Sequence, residues 1–167
     1  MIKKQLIAVI ILSLFLLDPA FAETKKIRRP DGSVFVELSM RDGKKEGQKI
    51  VYNSDGSIQA VSTYRDDLQD GPETVFWSDG TVQARRMYKN GLIEGLVQYY
   101  DGNHLTSEQM YKGGKRDGLT KFYYEDGALR NELLYSEGKK EGVCKFYDSS
   151  ATLYLEQPYK NDLREGL

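Results

Sequence analysis

The sequence repeats itself with a period of about 24 residues. One copy, Lys121 to Gly142, reads KFYYEDGALRNELLYSEGKKEG. Its aromatic run leads into Asp126-Gly127, a dipeptide that tolerates the positive φ of a two-residue hairpin turn. A second strand over Leu129–Tyr135 and a seven-residue loop ending at Gly142 should follow. Each copy therefore predicts one β-hairpin.

Six copies keep this register. The glycines that close the copies are Gly47, Gly71, Gly95, Gly118, Gly142 and Gly166. The tyrosines that end the second strand are Tyr64, Tyr88, Tyr111, Tyr135 and Tyr159. A fixed period in several residue types is the signature of a repeat architecture. We therefore expect an all-β fold, an elongated single-layer antiparallel meander of six stacked hairpins. The copies cover 24–47, 48–71, 72–95, 96–118, 119–142 and 143–166.

The first 22 residues have the pattern of a cleaved signal peptide. Lys3 and Lys4 precede an apolar run, Leu6–Leu17, and small residues follow at Ala20 and Ala22. A membrane anchor is the alternative, but the apolar run is about half of the roughly 20 residues that span a bilayer. Cleavage after Ala22 leaves 23–167 as the six-repeat domain, exported to a periplasm or secreted.

The charge balance argues against a nucleic-acid binder. Without Lys3, Lys4 and Asp18, the basic count falls from 24 to 22 and the acidic count from 25 to 24, so the net charge is −2. Nucleic-acid binding needs a dominant basic face. One local cluster is basic: Lys25, Lys26, Arg28 and Arg29. It could contact acidic lipid or polysaccharide, or it could blunt the exposed edge of the first strand.

The repeated pattern resembles the MORN repeat, in particular its bacterial variant. The shared features are an aromatic pair, Asp-Gly, a hydrophobic residue, a tyrosine, Asn-Gly or Glu-Gly-Lys, and a closing glycine, over Thr24 to Gly166. The resemblance implies a single-layer sheet of hairpins that serves in protein assembly and, in some members, in contact with membrane phospholipid. Bacterial variant members are often labelled antitoxin components, which implies a toxin partner. Copies one, four and six depart from the pattern, at Ile27-Arg28, 101–104 and Ser150-Ala151.

Residues that could carry catalysis are sparse. The single histidine, His104, lies in the irregular turn of copy four, and no nucleophile motif accompanies it. The single cysteine, Cys144, cannot form an internal disulfide, and copies two to five hold Lys49, Glu73, Val97 and Thr120 at its position. Too few His and Cys residues are present for a metal cluster built from them. We therefore expect a protein that is not an enzyme and has no cofactor.

An acidic residue precedes each closing glycine: Glu46, Asp70, Glu94, Asp117, Glu141 and Glu165. Carboxylates are calcium ligands, but neighbours in this ladder should be about two strand spacings apart, too far to share one ion. We therefore expect no metal site. Turn chemistry and pairing with lysines such as Lys45 and Lys140 account for the ladder better.

An aromatic row is the predicted binding surface. If Tyr52, Phe76, Tyr100, Tyr123 and Tyr147 point to the core, alternation puts a second row on the opposite, exposed face. The residues of that row most expected to contact a partner are Trp77, Tyr99, Phe122 and Tyr124. Exposed contiguous aromatics usually mark a binding site. A protein partner, a stacked glycan or self-association as a homodimer would each cover them, and long side chains of the sheet itself are the alternative.

The sequence thus predicts an exported, non-enzymatic protein-binding or scaffold module of a bacterial envelope. An antitoxin or immunity protein that neutralises a toxin is the alternative. Binding of a phospholipid or glycan surface is the third reading.

Overall fold

The computed structural model describes residues 23–166. These residues form one antiparallel sheet of 15 strands. The strands are β1 Glu23–Arg28, β2 Val34–Arg41, β3 Lys44–Tyr52, β4 Ile58–Arg65, β5 Leu68–Phe76, β6 Val82–Lys89, β7 Leu92–Ile93, β8 Gly95–Asp101, β9 His104–Lys112, β10 Lys115–Tyr123, β11 Leu129–Ser136, β12 Lys139–Lys140, β13 Gly142–Tyr147, β14 Leu153–Lys160 and β15 Leu163–Arg164. The predicted signal peptide lies outside the described residues.

Consecutive strands are neighbours throughout the sheet, so the chain is a meander of hairpins. The sheet does not close, because β1 lies at one end and β14 with the short β15 at the other. The two-residue strands β7 and β12 pair with the ends of β6 and β11, and a bulge separates each from β8 or β13. The prediction of an all-β antiparallel meander of hairpin repeats is confirmed.

The Asp-Gly turns are longer than predicted. Strand β10 ends at Tyr123 and β11 begins at Leu129, so five residues connect them. The amide of Tyr124 donates to the carbonyl of Ala128, and only Gly127 in this loop has a positive φ, 85°. Such a loop is a type I turn closed by a glycine in the left-handed region. The predicted two-residue turn at Asp126-Gly127 is therefore wrong.

Two-residue turns occur instead where a loop was expected. Ser136 pairs with Lys139, so Glu137 and Gly138 alone make the turn, with φ of 49° and 89°. Two successive positive φ values define the type I′ turn, whose twist matches that of the flanking strands. The predicted loop ending at Gly142 is thus a tight turn, a short strand and a bulge.

Side chains divide between two faces, and burial distinguishes them. The closing glycine lies directly opposite the strand-ending tyrosine, as in Gly142 with Tyr159, so alternation places Cys144 and Phe146 on the face of that tyrosine. We call this the packed face. All eleven buried residues within 23–166 lie on it: Val36, Leu38, Ser62, Ala84, Val97, Ser107, Thr120, Leu133, Tyr135, Cys144 and Tyr159. The other side is the open face.

The predicted assignment of the aromatic rows to faces is wrong. Tyr123 and Tyr147 lie on the open face, where their hydroxyls donate to Glu108 and Glu132 at 2.8 and 3.2 Å. Phe122 and Phe146 belong to the packed face and contact its buried cluster. The strand register determines these positions. It places the strand-ending tyrosines on the same face as Phe122 and Phe146, and on the opposite face from Tyr123 and Tyr147.

The acidic ladder joins each repeat to the next. The Glu46 carboxylate accepts a hydrogen bond of 3.0 Å from the amide of Asp66, which begins the following type I′ turn. The same bond recurs from Asp70, Glu94, Asp117 and Glu141 to Asn90, Gly113, Glu137 and Asn161, at 2.8–3.2 Å. Turn chemistry thus accounts for these five carboxylates, as expected.

The predicted lysine partners contact tyrosines rather than this ladder. The ammonium groups of Lys45 and Lys140 lie 5.3 and 4.9 Å from the ring centres of Tyr64 and Tyr159, each in the next repeat. A cation over an aromatic face is attracted by the ring quadrupole. These contacts therefore also join successive repeats.

Candidate binding surface

The four predicted contact residues occupy two environments. Tyr99 and Phe122 are half-buried on the packed face. Trp77 and Tyr124 begin the five-residue loops, and each donates a hydrogen bond to a carbonyl of the next repeat, Tyr100 O at 3.3 Å and Tyr147 O at 2.8 Å. Trp77 keeps 40% of its surface exposed. At least two of these aromatics therefore link repeats.

Trp77 and Tyr99 line one shallow depression of about 470 Å³ at the strand ends that carry the five-residue loops. Arg86 and Asp101 supply charged groups to it, and the Arg86 guanidinium lies 5.8 Å from the Tyr99 ring centre. The Arg86 Nη1 is also held by Glu73 at 2.9 Å. The depression therefore contains one exposed indole, that of Trp77, and a guanidinium, that of Arg86, which already forms an ion pair with Glu73.

The open face carries an exposed aliphatic row that the sequence analysis missed. Four directly paired positions contribute it, Pro72 with Met87, Leu96 with Met110, Leu119 with Leu134 and Val143 with Pro158. We call these eight residues the aliphatic row. Six of them expose 37–49% of their surface. They lie on eight successive strands of the sheet path, so the row is about 34 Å long at 4.8 Å per strand.

The row has a simple sequence signal. One member of each pair follows a closing glycine, as Leu119 follows Gly118, and the other precedes a strand-ending tyrosine, as Leu134 precedes Tyr135. In repeat two the equivalent pair is Gln48 with Thr63, so the row begins at repeat three. A search for apolar residues beside the two repeat markers would have found it.

Comparison with known proteins fits this repeat organisation. The MORN repeat variant family matches residues 69–90 and 116–137. Each segment spans one hairpin, β5 with β6 and β10 with β11, between successive type I′ turns. Two of the hairpins thus match the MORN repeat variant.

Two other comparisons add little to this match. No curated protein matches the sequence. A solved structure described as a crystal structure of the GtfA/B complex bound to UDP and GlcNAc is similar at 15% identity, over 81% of this chain and 24% of that chain, with a TM-score of 0.27. The chain thus spans about a quarter of that protein's length, and a similarity this low supports no conclusion.

The remaining candidate residues lie apart from the row. The basic cluster belongs to the first hairpin, where Lys26 pairs with Glu37 at 2.8 Å and the Arg29 guanidinium lies 4.9 Å from the Phe35 ring centre. His104 begins β9 and is exposed, whereas Cys144 is fully buried. Within residues 23–166, no group of three or more His, Cys, Asp or Glu is placed to hold a metal ion. In the same part of the chain, no helix has the length and apolarity to cross a bilayer.

Charged and aromatic residues run alongside the aliphatic row on the open face. Lys121 lies 3.8 Å from Glu132, and Lys145 lies 3.8 Å from Glu156. Burial and the hydrogen bond to Glu108 raise the pKa of Tyr123 to about 12. The open face therefore presents an apolar band with a charged band beside it.

The raised pKa of Tyr123 predicts that the stability of the fold depends on pH in the alkaline range. Because the folded pKa of Tyr123 exceeds its ordinary value of 10.0, the phenol stabilises the fold below pH 10, and this contribution is lost as pH rises towards about 12. Glu108→Gln removes the carboxylate and should lower the pKa of Tyr123. Tyrosinate absorbance during alkaline titration measures it. In a Tyr123→Phe background the same substitution should not shift the tyrosinate titration, and an equal shift there would contradict the assignment.

Proposed function

We propose that this protein is an exported, non-enzymatic protein-binding module of a bacterial envelope, and that its partner lies along the aliphatic row. The observation that carries the proposal is the exposure of six large aliphatic side chains in one line on a regular sheet. Contiguous apolar surface of this kind is characteristic of interaction sites. Export is proposed from the leader pattern of residues 1–22.

The row suits a protein partner because of its shape and borders. It is linear and apolar, and the charge pairs Lys121–Glu132 and Lys145–Glu156 lie beside it. A hydrophobic centre with a charged rim is the usual anatomy of protein interfaces. The sheet beneath it is bonded through every repeat boundary, so little ordering cost accompanies binding.

A quantitative pull-down from envelope extract tests the proposal. Leu119→Ser/Leu134→Ser removes the central pair of the row and should lower recovery of the partner about tenfold, since truncating central apolar contacts costs 1–2 kcal/mol or more. Leu68→Ser/Leu92→Ser is the matched control, because these leucines are 49% and 53% exposed but begin β5 and β7, next to the type I′ turns and outside the row.

A third variant separates this site from the aromatic one. Trp77→Ala removes the indole that lines the depression beside Tyr99, and it should leave recovery of the partner unchanged. Loss of the partner with Trp77→Ala but not with the row variant would place the site at the depression and contradict the proposal. A toxin recovered as the stoichiometric partner would narrow the function to that of an antitoxin.

A further inference from the structure

The two ends of the open sheet offer complementary edges. Every residue of β1 is exposed, and among residues 23–166 β1 pairs with β2 only. At the other end, Leu153, Tyr154, Leu155 and Glu156 of β14 are exposed, and in the described part of the chain this stretch of β14 has β13 as its only neighbouring strand. Tyr154 and Leu155 expose 63% and 44% of their surface. An exposed apolar edge strand is a site for pairing with another strand.

Internal repeat boundaries show how the next strand would sit on β14. Glu108 lies opposite Lys121 across one boundary, and Glu132 lies opposite Lys145 across the following boundary. The position after Glu132 in this series is Glu156, and the residue at the repeat position of Lys121 and Lys145 in the first copy is Lys26. The internal rule therefore places Lys26 of a second chain opposite Glu156.

The adjacent positions also match. In the same register Ile27 would lie opposite Leu155, as Phe146 lies opposite Asn131. Both residues are on the packed face and are 44% exposed. Pairing would thus bury one exposed aliphatic side chain from each edge against the other and would place opposite charges together on the open face.

The same pairing would also provide a hydrogen-bond donor for Glu165, the sixth carboxylate of the ladder. Five ladder carboxylates accept from the first residue of the next type I′ turn, and no group in residues 23–166 donates to the Glu165 carboxylate. The equivalent donor on a following copy is the amide of Asp42, which begins the first type I′ turn, with φ of 50°. Its amide has no carboxylate partner within the same range.

We propose that copies of this chain associate head to tail, with β14 of one copy pairing antiparallel with β1 of the next. Pro158 lacks an amide hydrogen and its carbonyl already accepts from Glu165, so the pairing is confined to the part of β14 before it. Such contacts are heterologous and produce rings or open chains rather than isologous dimers. The occupant of each edge is a second copy of this chain.

Charge exchange tests the pairing in the full protein purified from the envelope. Light scattering should show a mass that rises above one chain with concentration. Lys26→Glu and Glu156→Lys each place like charges at the joint and should raise the dissociation constant about tenfold. An equimolar mixture of the two variants, and the double variant Lys26→Glu/Glu156→Lys, should restore assembly because opposite charges meet again.

The mixture separates the joint from a local effect of Lys26, which also pairs with Glu37 within its own chain. A wild-type mass of one chain at the highest soluble concentration would overturn the proposal. Assembly unaffected by Glu156→Lys, or a mixture that fails to reassemble although circular dichroism shows folded variants, would do the same. None of these outcomes decides whether a partner binds the aliphatic row, since Lys26 and Glu156 are not among its eight residues, although Glu156 lies beside it.

Discussion

Leu133→Ala should destabilise the protein by about 3 kcal/mol, within the usual 2–5 kcal/mol for a buried leucine. Leu133 is 8% exposed on the packed face and contacts the cluster of Tyr135, Cys144 and Tyr159. The cavity lies where repeats five and six meet, so both lose packing. Thermal unfolding followed by circular dichroism should show a midpoint lower by roughly 6–12 °C for a chain of this size.

Its neighbour is the matched control. Leu134 has the same side chain one position later but points to the open face, where it is 40% exposed. Leu134→Ala should cost less than about 1 kcal/mol, because little buried surface is lost. Equal destabilisation by the two substitutions would mean that the faces are assigned incorrectly. The pair also separates stability from binding, since we expect only Leu134 to contact a partner.

The repeat period made the architecture predictable. Six glycines and five tyrosines in step require one hairpin per copy, and the sheet has that order. The prediction assigned the two turn types to the wrong places, because Asp126-Gly127 and Glu137-Gly138 are both an acidic residue followed by glycine. Asp126 accepts a 2.9 Å hydrogen bond from the amide of Ala128, which fixes the longer loop. Only the register of the flanking strands distinguishes the two cases.

The candidate surface was less accessible to sequence reasoning. Both strands of a hairpin have apolar residues on both faces, so alternation alone does not reveal which face is packed. The choice rests on a cross-strand relation, Gly118 opposite Tyr135, that places Phe122 with the buried residues. Once that relation is known, Leu119 and Leu134 fall on the open face. Aromatic content was therefore a weaker guide than position relative to the closing glycine.

The carboxylate ladder shows the same limit. Its position before each closing glycine was evident, and the repeat spacing led us to expect no shared ion. Its actual donors are backbone amides of the next turn, such as Asp66 for Glu46. Those amides are free only because two-residue type I′ turns present them, and these turns were not predicted at that place.

Gly118→Ala should be the most damaging substitution among three comparable closing glycines. Gly118 has a φ of 104°, and an added Cβ would lie 3.2 Å from the Cβ of Met110. A rotamer change cannot move that atom, so the backbone must shift. Gly142 has a φ of 81°, and its added Cβ would meet only the Cδ2 of Leu134, at 3.1 Å, which can rotate away. Gly95 has a φ of 79° and no atom within 4 Å of that position.

We expect the free energy of unfolding to fall by about 1–2 kcal/mol for Gly95→Ala, which carries only the cost of a positive φ. Gly142→Ala should cost slightly more, and Gly118→Ala about 2–4 kcal/mol because a close contact is added to the same strain. Urea unfolding of the three variants measures the order, and equal costs would show that the contact with Met110 does not matter.

Because Met110 belongs to the aliphatic row, Gly118→Ala should also weaken partner recovery, whereas Gly95→Ala places no atom against the row. The closing glycine thus serves both the fold and the surface, since it lets the row approach the backbone of the neighbouring strand.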